Sequence, residues 1–235
     1  MIIVGLTGGI ASGKSTVSTR LKEYHHLTIV DADKIARDIV QPGEPAYNDI
    51  VSYFGPKISN LVLEGGSLNR TALGKHVFED KSELHVLNGF THPRVRKAMF
   101  WGVVKAYFSL QRAVVLDVPL LFESKLDRFC GINICVLCDS KTQLSRLQAR
   151  NPDLSLEDCK NRIANQMSNE ERIKRADIIL DNNSSLEELY LKLDKTVNNI
   201  VPSYIKTVLQ LVIFPYGILC GISSYLFKTN RQAQS

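Results

Sequence analysis

Residues 8 to 15 read Gly8-Gly9-Ile10-Ala11-Ser12-Gly13-Lys14-Ser15, the spacing G-x-x-x-x-G-K-[ST]. The flanks narrow the fold further. Ile2-Ile3-Val4-Gly5-Leu6-Thr7 is a short apolar, β-branched run that reads as a buried strand. Ser15 to Tyr24 reads as a helix, with Val17, Leu21 and Tyr24 on one face. A strand, a glycine loop and a helix N-terminus together make an anion cradle, since the loop turns backbone N–H groups inward and the helix end adds free donors and partial positive charge. The expected phosphate-binding residues are Gly8, Gly9, Ile10, Ala11, Ser12, Gly13, Lys14, Ser15 and Thr16. Lys14 can reach the β- and γ-phosphates of a bound ATP, and the Ser15 hydroxyl can ligate Mg²⁺. A dinucleotide-binding fold would need G-x-G-x-x-G, which this loop does not have, and Lys14-Ser15 would then lack a role.

The chain that carries this loop alternates strands and helices. Strands are expected at Ile2–Thr7, Thr28–Val30, Ala113–Val118, Ile132–Leu137 and Asp177–Leu180. A long helical stretch, residues 81–111, is expected to have a start near Thr91-His92-Pro93. Pro42-Gly43 and Gly65-Gly66 mark turns. Ser184 or Ser185 should cap an amphipathic helix through Leu186, Leu189, Leu193 and Val197. This pattern predicts an α/β domain, a five-stranded parallel sheet flanked by helices, within residues 1–200 of the 235. A net charge of +5 suits an anionic ligand but is too small to argue for nucleic acid, and no nucleic-acid partner is expected. Five cysteines and no N-terminal signal region suggest reduced thiols in a cytosolic setting. Cys135 and Cys138 are three apart on strand-like sequence, should point to opposite faces, and so make a poor metal or disulfide pair.

Several side chains could carry chemistry. Asp31-Ala32-Asp33 follows the second strand, and the carboxyl ends of parallel strands face the ligand crevice. Asp33 is the expected general base for an acceptor hydroxyl, with Asp31 supporting it or binding metal through water, although either would also serve as a helix cap. Arg37, four residues on, shares a helix face with Asp33 and could pair with it or bind a substrate phosphate. Asp117, ending the third strand, could reach the Mg²⁺ shell, and Pro119, Leu120 and Leu121 could wall an apolar substrate pocket or belong to the core. Residues 141–175 carry many cations between two strands, broken by Asn151-Pro152. This is the expected lid, with Arg146 the best candidate to meet the transferring phosphoryl and the other cations read as surface charges. The residues alone leave the acceptor open, since a nucleoside monophosphate or another small metabolite would use the same machinery.

The C-terminal part, residues 201–235, differs in character. Thr207 to Phe227 contains no charged residue over 21 positions and would span roughly 31 Å as a helix, close to a bilayer core. Pro215, Gly217, Gly221 and several polar residues dilute it, so a span, an interfacial helix and a core helix all remain open. The expectation is membrane contact through 207–227, with the catalytic body on the cytoplasmic side of the endoplasmic reticulum or mitochondrial outer membrane, or in the cytoplasm.

The motif set TGGIASGKS, DADxxAR (31–37), VxPG (40–43), LNR (68–70), THP (91–93), DVPLLFE (117–123), TQLxRL (142–147) and RIxxQ (162–166) resembles the dephospho-CoA kinase family, in order from residue 2 to about 185. Its eukaryotic, yeast-like members are most similar. The resemblance implies a P-loop kinase fold with a helical lid. It also implies transfer of the ATP γ-phosphoryl to the 3′-hydroxyl of dephospho-CoA, with Mg²⁺, as the last step of coenzyme A synthesis. It gives Lys14, Asp33 and Arg146 catalytic roles. Asp31, Arg37, His92, Pro119, Leu120 and Leu121 are the candidate acceptor-binding residues of this chain. Association with other enzymes of coenzyme A synthesis is a further expectation.

Overall fold

The computed structural model describes residues 1–205, 207–208, 221–223, 225–226 and 229. In chain order its first elements are β1 (Ile2–Gly8), α1 (Lys14–Glu23), β2 (Thr28–Asp31), α2 (Ala32–Asp38), α3 (Pro45–Phe54), α4 (Arg70–Glu79) and α5 (Lys81–Phe108). There follow β3 (Ala113–Asp117), a 3-10 turn (Leu126–Phe129), β4 (Ile132–Leu137), α6 (Ser140–Arg150), α7 (Leu156–Ala164), α8 (Asn169–Arg175), β5 (Ile178–Asp181) and α9 (Leu186–Ile200). The chain divides into two compact units, Met1–Val30 with Lys105–Ser235, and Asp31–Val104.

The first unit is built on a five-stranded sheet of order β2-β3-β1-β4-β5. β1 lies between β3 and β4 and runs parallel to both, with Leu6 opposite Asp117 on one side and Ile134 on the other. The five strands fall within a residue of their expected bounds. Central strands have both faces covered, which is why they read as continuous apolar runs. Val4, Leu6, Val115, Ile134, Val136 and Leu180 pack with Val17 and Leu21 of α1 and with Leu189, Leu193 and Val197 of α9. Each such side chain contributes roughly 1.5–3 kcal/mol on burial. Ser185 caps α9, its hydroxyl accepting from the Glu188 N–H at 3.3 Å. Tyr24, expected on the buried face of α1, is exposed instead, because it is the C-cap residue and its ring carries the Arg20 guanidinium at 3.5 Å. Arg20 in turn ion-pairs with Asp194 of α9 at 2.9 Å, pinning the two helices together, and holds the Asp194 carboxyl below its usual range.

The expected break within residues 81–111 is absent: α5 runs unbroken through Pro93. The proline removes one ladder hydrogen bond. Neighbouring carbonyls take side-chain donors, with Thr91 Oγ1 on Leu87 O at 3.0 Å and Arg94 on Phe90 O at 2.6 Å. Within the second unit, Ile50 and Phe54 of α3 meet Leu73 and Val77 of α4 and Ile58, Leu61 and Leu68 of the intervening loop. That loop turns at Gly66, whose φ of +79° explains the glycine, and is closed by a bridge between Val62 and Leu68.

The cation-rich stretch folds as α6, α7 and α8, and α6 ends at Asn151 as the Asn-Pro break requires. One of its cations overturns the surface reading. Arg172 is fully buried, donating from Nε to Met167 O at 3.1 Å, with Glu123 3.7 Å from Nη2. Cys130, Cys135, Cys138 and Cys159 are all buried, and Cys135, Cys138 and Cys159 are free thiols. Among the described residues no helix is long and apolar enough to cross a membrane, and most of 207–227 lies outside the described residues.

Burial pushes the Cys135 thiol up from 9.0 to about 11, against the opposing pull of the Arg172 cation. The unfolded chain therefore loses this proton first, and the native state's advantage fades as pH rises from about 9 through about 11. Denaturant unfolding of wild type and Cys135→Ala across that range should show the steeper loss in wild type. Parallel curves would contradict the burial argument.

Candidate active site

The loop from β1 to α1 is shaped by two backbone positions. Gly13, the N-cap of α1, has φ of +98°, and a Cβ there would sit 2.1 Å from Asn182 Nδ2. Gly8 has no room for a side chain either, since a Cβ would meet Ser12 Oγ at 2.6 Å and Val136 O at 2.7 Å. The chain then enters α1 at Lys14, so the first-turn amides of Lys14, Ser15 and Thr16 have no acceptor within the helix. The loop carries the concave run of donors that an anion requires.

Side chains from three later elements hold this loop. Asn182, just past β5 and 8% exposed, donates from Nδ2 to Ser12 O at 2.8 Å. Gln143 of α6, 6% exposed, donates from Nε2 to Ile10 O at 2.7 Å. Gln166, in the turn after α7, accepts from the Ile10 N–H at 2.8 Å. Thr7 Oγ1 donates to Pro119 O at 2.9 Å, tying the end of β1 to the segment that follows β3.

The loop's cation is also placed. Lys14 Nζ lies 2.5 Å from Asp117 Oδ1, and the carboxylate is nearly buried at the carboxyl end of β3. The register of β1 against β3, with Leu6 opposite Asp117, brings the two groups to the same end of the sheet. Among the described residues no group of three or more His, Cys, Asp or Glu side chains could hold a metal ion by itself. A hydroxyl at Ser15 and one carboxylate at Asp117 suit a Mg²⁺ ion that takes its remaining ligands from phosphate oxygens and water.

Other expected site residues have mixed fates. Arg146 lies in the middle of α6, partly buried, with Nη1 lacking a hydrogen-bond partner. It faces Cys138, whose thiol is raised by burial and held back by the Arg146 cation. Leu120 is half exposed and available to a ligand. Leu121 is not: it is fully buried, and a Cβ at Gly5 would lie 2.7 Å from its Cδ2, so it belongs to the core beneath β1. In the second unit, Asp31 caps α2, its Oδ1 accepting from the Lys34 N–H at 2.9 Å. Asp33 and Arg37 are both exposed on α2, and no ion pair joins them. His92, expected about the acceptor, is an exposed residue inside α5.

Sequence reading gave no role to Gln143, Gln166 or Asn182. Their only signal was polar residues embedded in helical or strand-end motifs, Gln143 in TQLxRL and Gln166 in RIxxQ. An amide side chain that satisfies a loop peptide from more than 130 positions away has no periodic signature.

The crowding at Gly13 has a measurable consequence. Gly13→Ala combines a positive φ with a collision against Asn182 and should cost about 1–3 kcal/mol of stability. The double variant Gly13→Ala/Asn182→Ala removes the collision and retains the strained φ, so it should recover part of the loss relative to the sum of the single changes. Strict additivity in thermal melts would show that Asn182 does not press on the loop.

Comparison with known proteins agrees with this geometry. The family model for dephospho-CoA kinase matches residues 2–188. The dephospho-CoA kinase CAB5 of Saccharomyces cerevisiae is 56% identical over 223 residues, covering 95% of this chain and 92% of that protein. A dephospho-CoA kinase of Arabidopsis thaliana is 40% identical, covering 84% of this chain and 83% of its own. Among solved structures, dephospho-CoA kinase from Campylobacter jejuni superposes with a TM-score of 0.65 at 29% identity, covering 85% of this chain and 96% of that one. TT1252 from Thermus thermophilus superposes with a TM-score of 0.72 at 31% identity, covering 86% and 98%. With the phosphate loop, its lysine and the parallel sheet in place, the chain belongs to the dephospho-CoA kinase family.

Proposed function

We propose that the chain transfers the γ-phosphoryl of ATP to the 3′-hydroxyl of dephospho-CoA, giving coenzyme A and ADP. The carrying observation is the Lys14–Asp117 pair at the mouth of the phosphate loop. It keeps a cation at the loop that an arriving polyphosphate can take over. Asp33 accepts the proton of the 3′-hydroxyl, the 3′-oxygen bonds to Pγ, and the bond from Pγ to the bridging oxygen breaks, releasing ADP. Lys14 follows the migrating phosphoryl. Arg146 supplies a second cation from the lid of residues 141–175, and its unpaired Nη1 supports this role. Ser15 and Asp117 would hold Mg²⁺, which when bound neutralises charge on the β- and γ-oxygens.

Asp33→Asn keeps the side-chain shape and removes the base. Its kcat should fall by about 10²–10⁴-fold while ATP affinity stays within a few-fold. A kcat near wild type would move the proton transfer to another group, with Asp31 next in line. Assay of the unaltered chain with dephospho-CoA, AMP and adenosine as acceptors separates this reading from a nucleoside monophosphate kinase, which would prefer AMP.

The uncharged segment 207–227 supports a second proposal, attachment of the catalytic body to the cytoplasmic face of a membrane. Truncation after residue 202 should leave an active protein that shifts from the carbonate-washed membrane pellet to the supernatant. A full-length protein found wholly in the supernatant contradicts the attachment.

A further inference from the structure

One residue of the phosphate loop, Ile10, is held through both of its backbone groups. The Ile10 carbonyl accepts from Gln143 Nε2 at 2.7 Å, and the Ile10 N–H donates to Gln166 Oε1 at 2.8 Å. The backbone fixes both amide orientations, because an N–H demands an oxygen and a carbonyl demands an NH₂. The two glutamines come from separate parts of the lid, Gln143 from its first helix and Gln166 from the turn between α7 and α8. A Cβ at Gly9 would lie 2.8 Å from Gln143 Nε2 and 3.8 Å from Gln166 Oε1, so the pair closes around this stretch.

The two contacts differ in kind. Gln143 is buried and gives its donor to a carbonyl that has no business with an anion. Gln166 is only partly buried, and it occupies the N–H of a residue in the run expected to bind phosphate. A phosphate oxygen accepts more strongly than a neutral amide oxygen, so it displaces Gln166 Oε1 from that N–H. The terminal torsion of glutamine is broad and two-fold, and a turn about it replaces Oε1 by Nε2 at little cost. Gln166 then presents a donor where it had presented an acceptor.

We propose that Gln166 is a nucleotide-responsive latch. It accepts the Ile10 N–H while the loop is empty, and turns to donate from Nε2 to the terminal phosphoryl once ATP is bound. The turn between α7 and α8 is thus tied to the loop in the empty state and to the reacting group in the filled one. Gln143 is the fixed positioning residue of the pair. The inference rests on the ATP-dependent kinase reading, and goes beyond it by naming a residue that distinguishes ATP from ADP.

Gln166→Glu tests it with the full-length chain. Glutamate keeps the acceptor for Ile10 N–H, has no NH₂ to turn, and sets a negative charge against the terminal phosphoryl. Calorimetric Kd values for Mg·ADP should stay within about three-fold of wild type, which also reports that the variant is folded. The Kd for Mg·AMP-PNP should rise at least about ten-fold, as loss of a charge-assisted hydrogen bond implies. Gln166→Met, which lacks both polar atoms, should speed amide exchange at Ile10 in the free protein and lower the preference for AMP-PNP over ADP. Equal weakening of both nucleotides, or no change in either, would make Gln166 a static prop and overturn the latch. If the unaltered chain binds neither nucleotide, the kinase reading falls, and the latch with it.

Discussion

A lysine ammonium and an aspartate carboxylate, 2.5 Å apart at the end of a parallel sheet, set the terms for the rest of this protein. Neither Lys14 nor Asp117 would be tolerated alone in so enclosed a place, because an unpaired charge there loses its hydration. Together they hold a cation at the mouth of a loop whose backbone donors also favour an anion. The pair depends on β1 lying between β3 and β4, since that order puts the loop and the end of β3 side by side. A polyphosphate that reaches the loop competes with the Asp117 carboxylate for Lys14. Binding of an anion and rearrangement of this pair are then one event.

The loop is shaped less by its own residues than by its supports. Gly8 and Gly13 make room for Ser12, Val136 and Asn182, and three amide side chains from distant parts of the chain hold the loop peptides. Each of these amides satisfies a backbone group that the tight turn leaves unpaired, and an unpaired buried polar group costs about 1–3 kcal/mol. Two of the three come from the cation-rich stretch after β4. That stretch is therefore bonded to the loop it is expected to cover, and movement of one is felt by the other.

Much of this was legible in the sequence because the relevant signals were local. The fixed spacing of the loop, the apolar runs of β1, β3 and β4, and the serine before α9 each specify their own conformation within a few residues. Tyr24, Pro93, Leu121 and Arg172 show where local signals fail. Tyr24 fits the helical period but stands at the helix end, where Arg20 covers it. Pro93 suggested a helix start, yet neighbouring side chains satisfy carbonyls around it and the helix continues. Leu121 sits in a polar-flanked loop motif and packs under Gly5, a contact set by β1 far away in sequence. Arg172 has the composition of a surface cation and is buried against Met167 and Glu123 because α8 docks on the end of β4. In the site, residue types foretold the loop and its lysine, while the supporting glutamines and Asn182 became visible only in three dimensions.

The claim that binds these observations together is regiospecific: the phosphoryl held at Lys14 is delivered to one ribose hydroxyl. Phosphorus–proton correlation NMR of the product formed from ATP and dephospho-CoA tests it most directly. The predicted result is a new phosphomonoester whose phosphorus couples to the ribose H3′ proton, formed in a one-to-one ratio with ADP. A phosphorus coupled to H2′, or ADP released with inorganic phosphate and no phosphorylated acceptor, would contradict it.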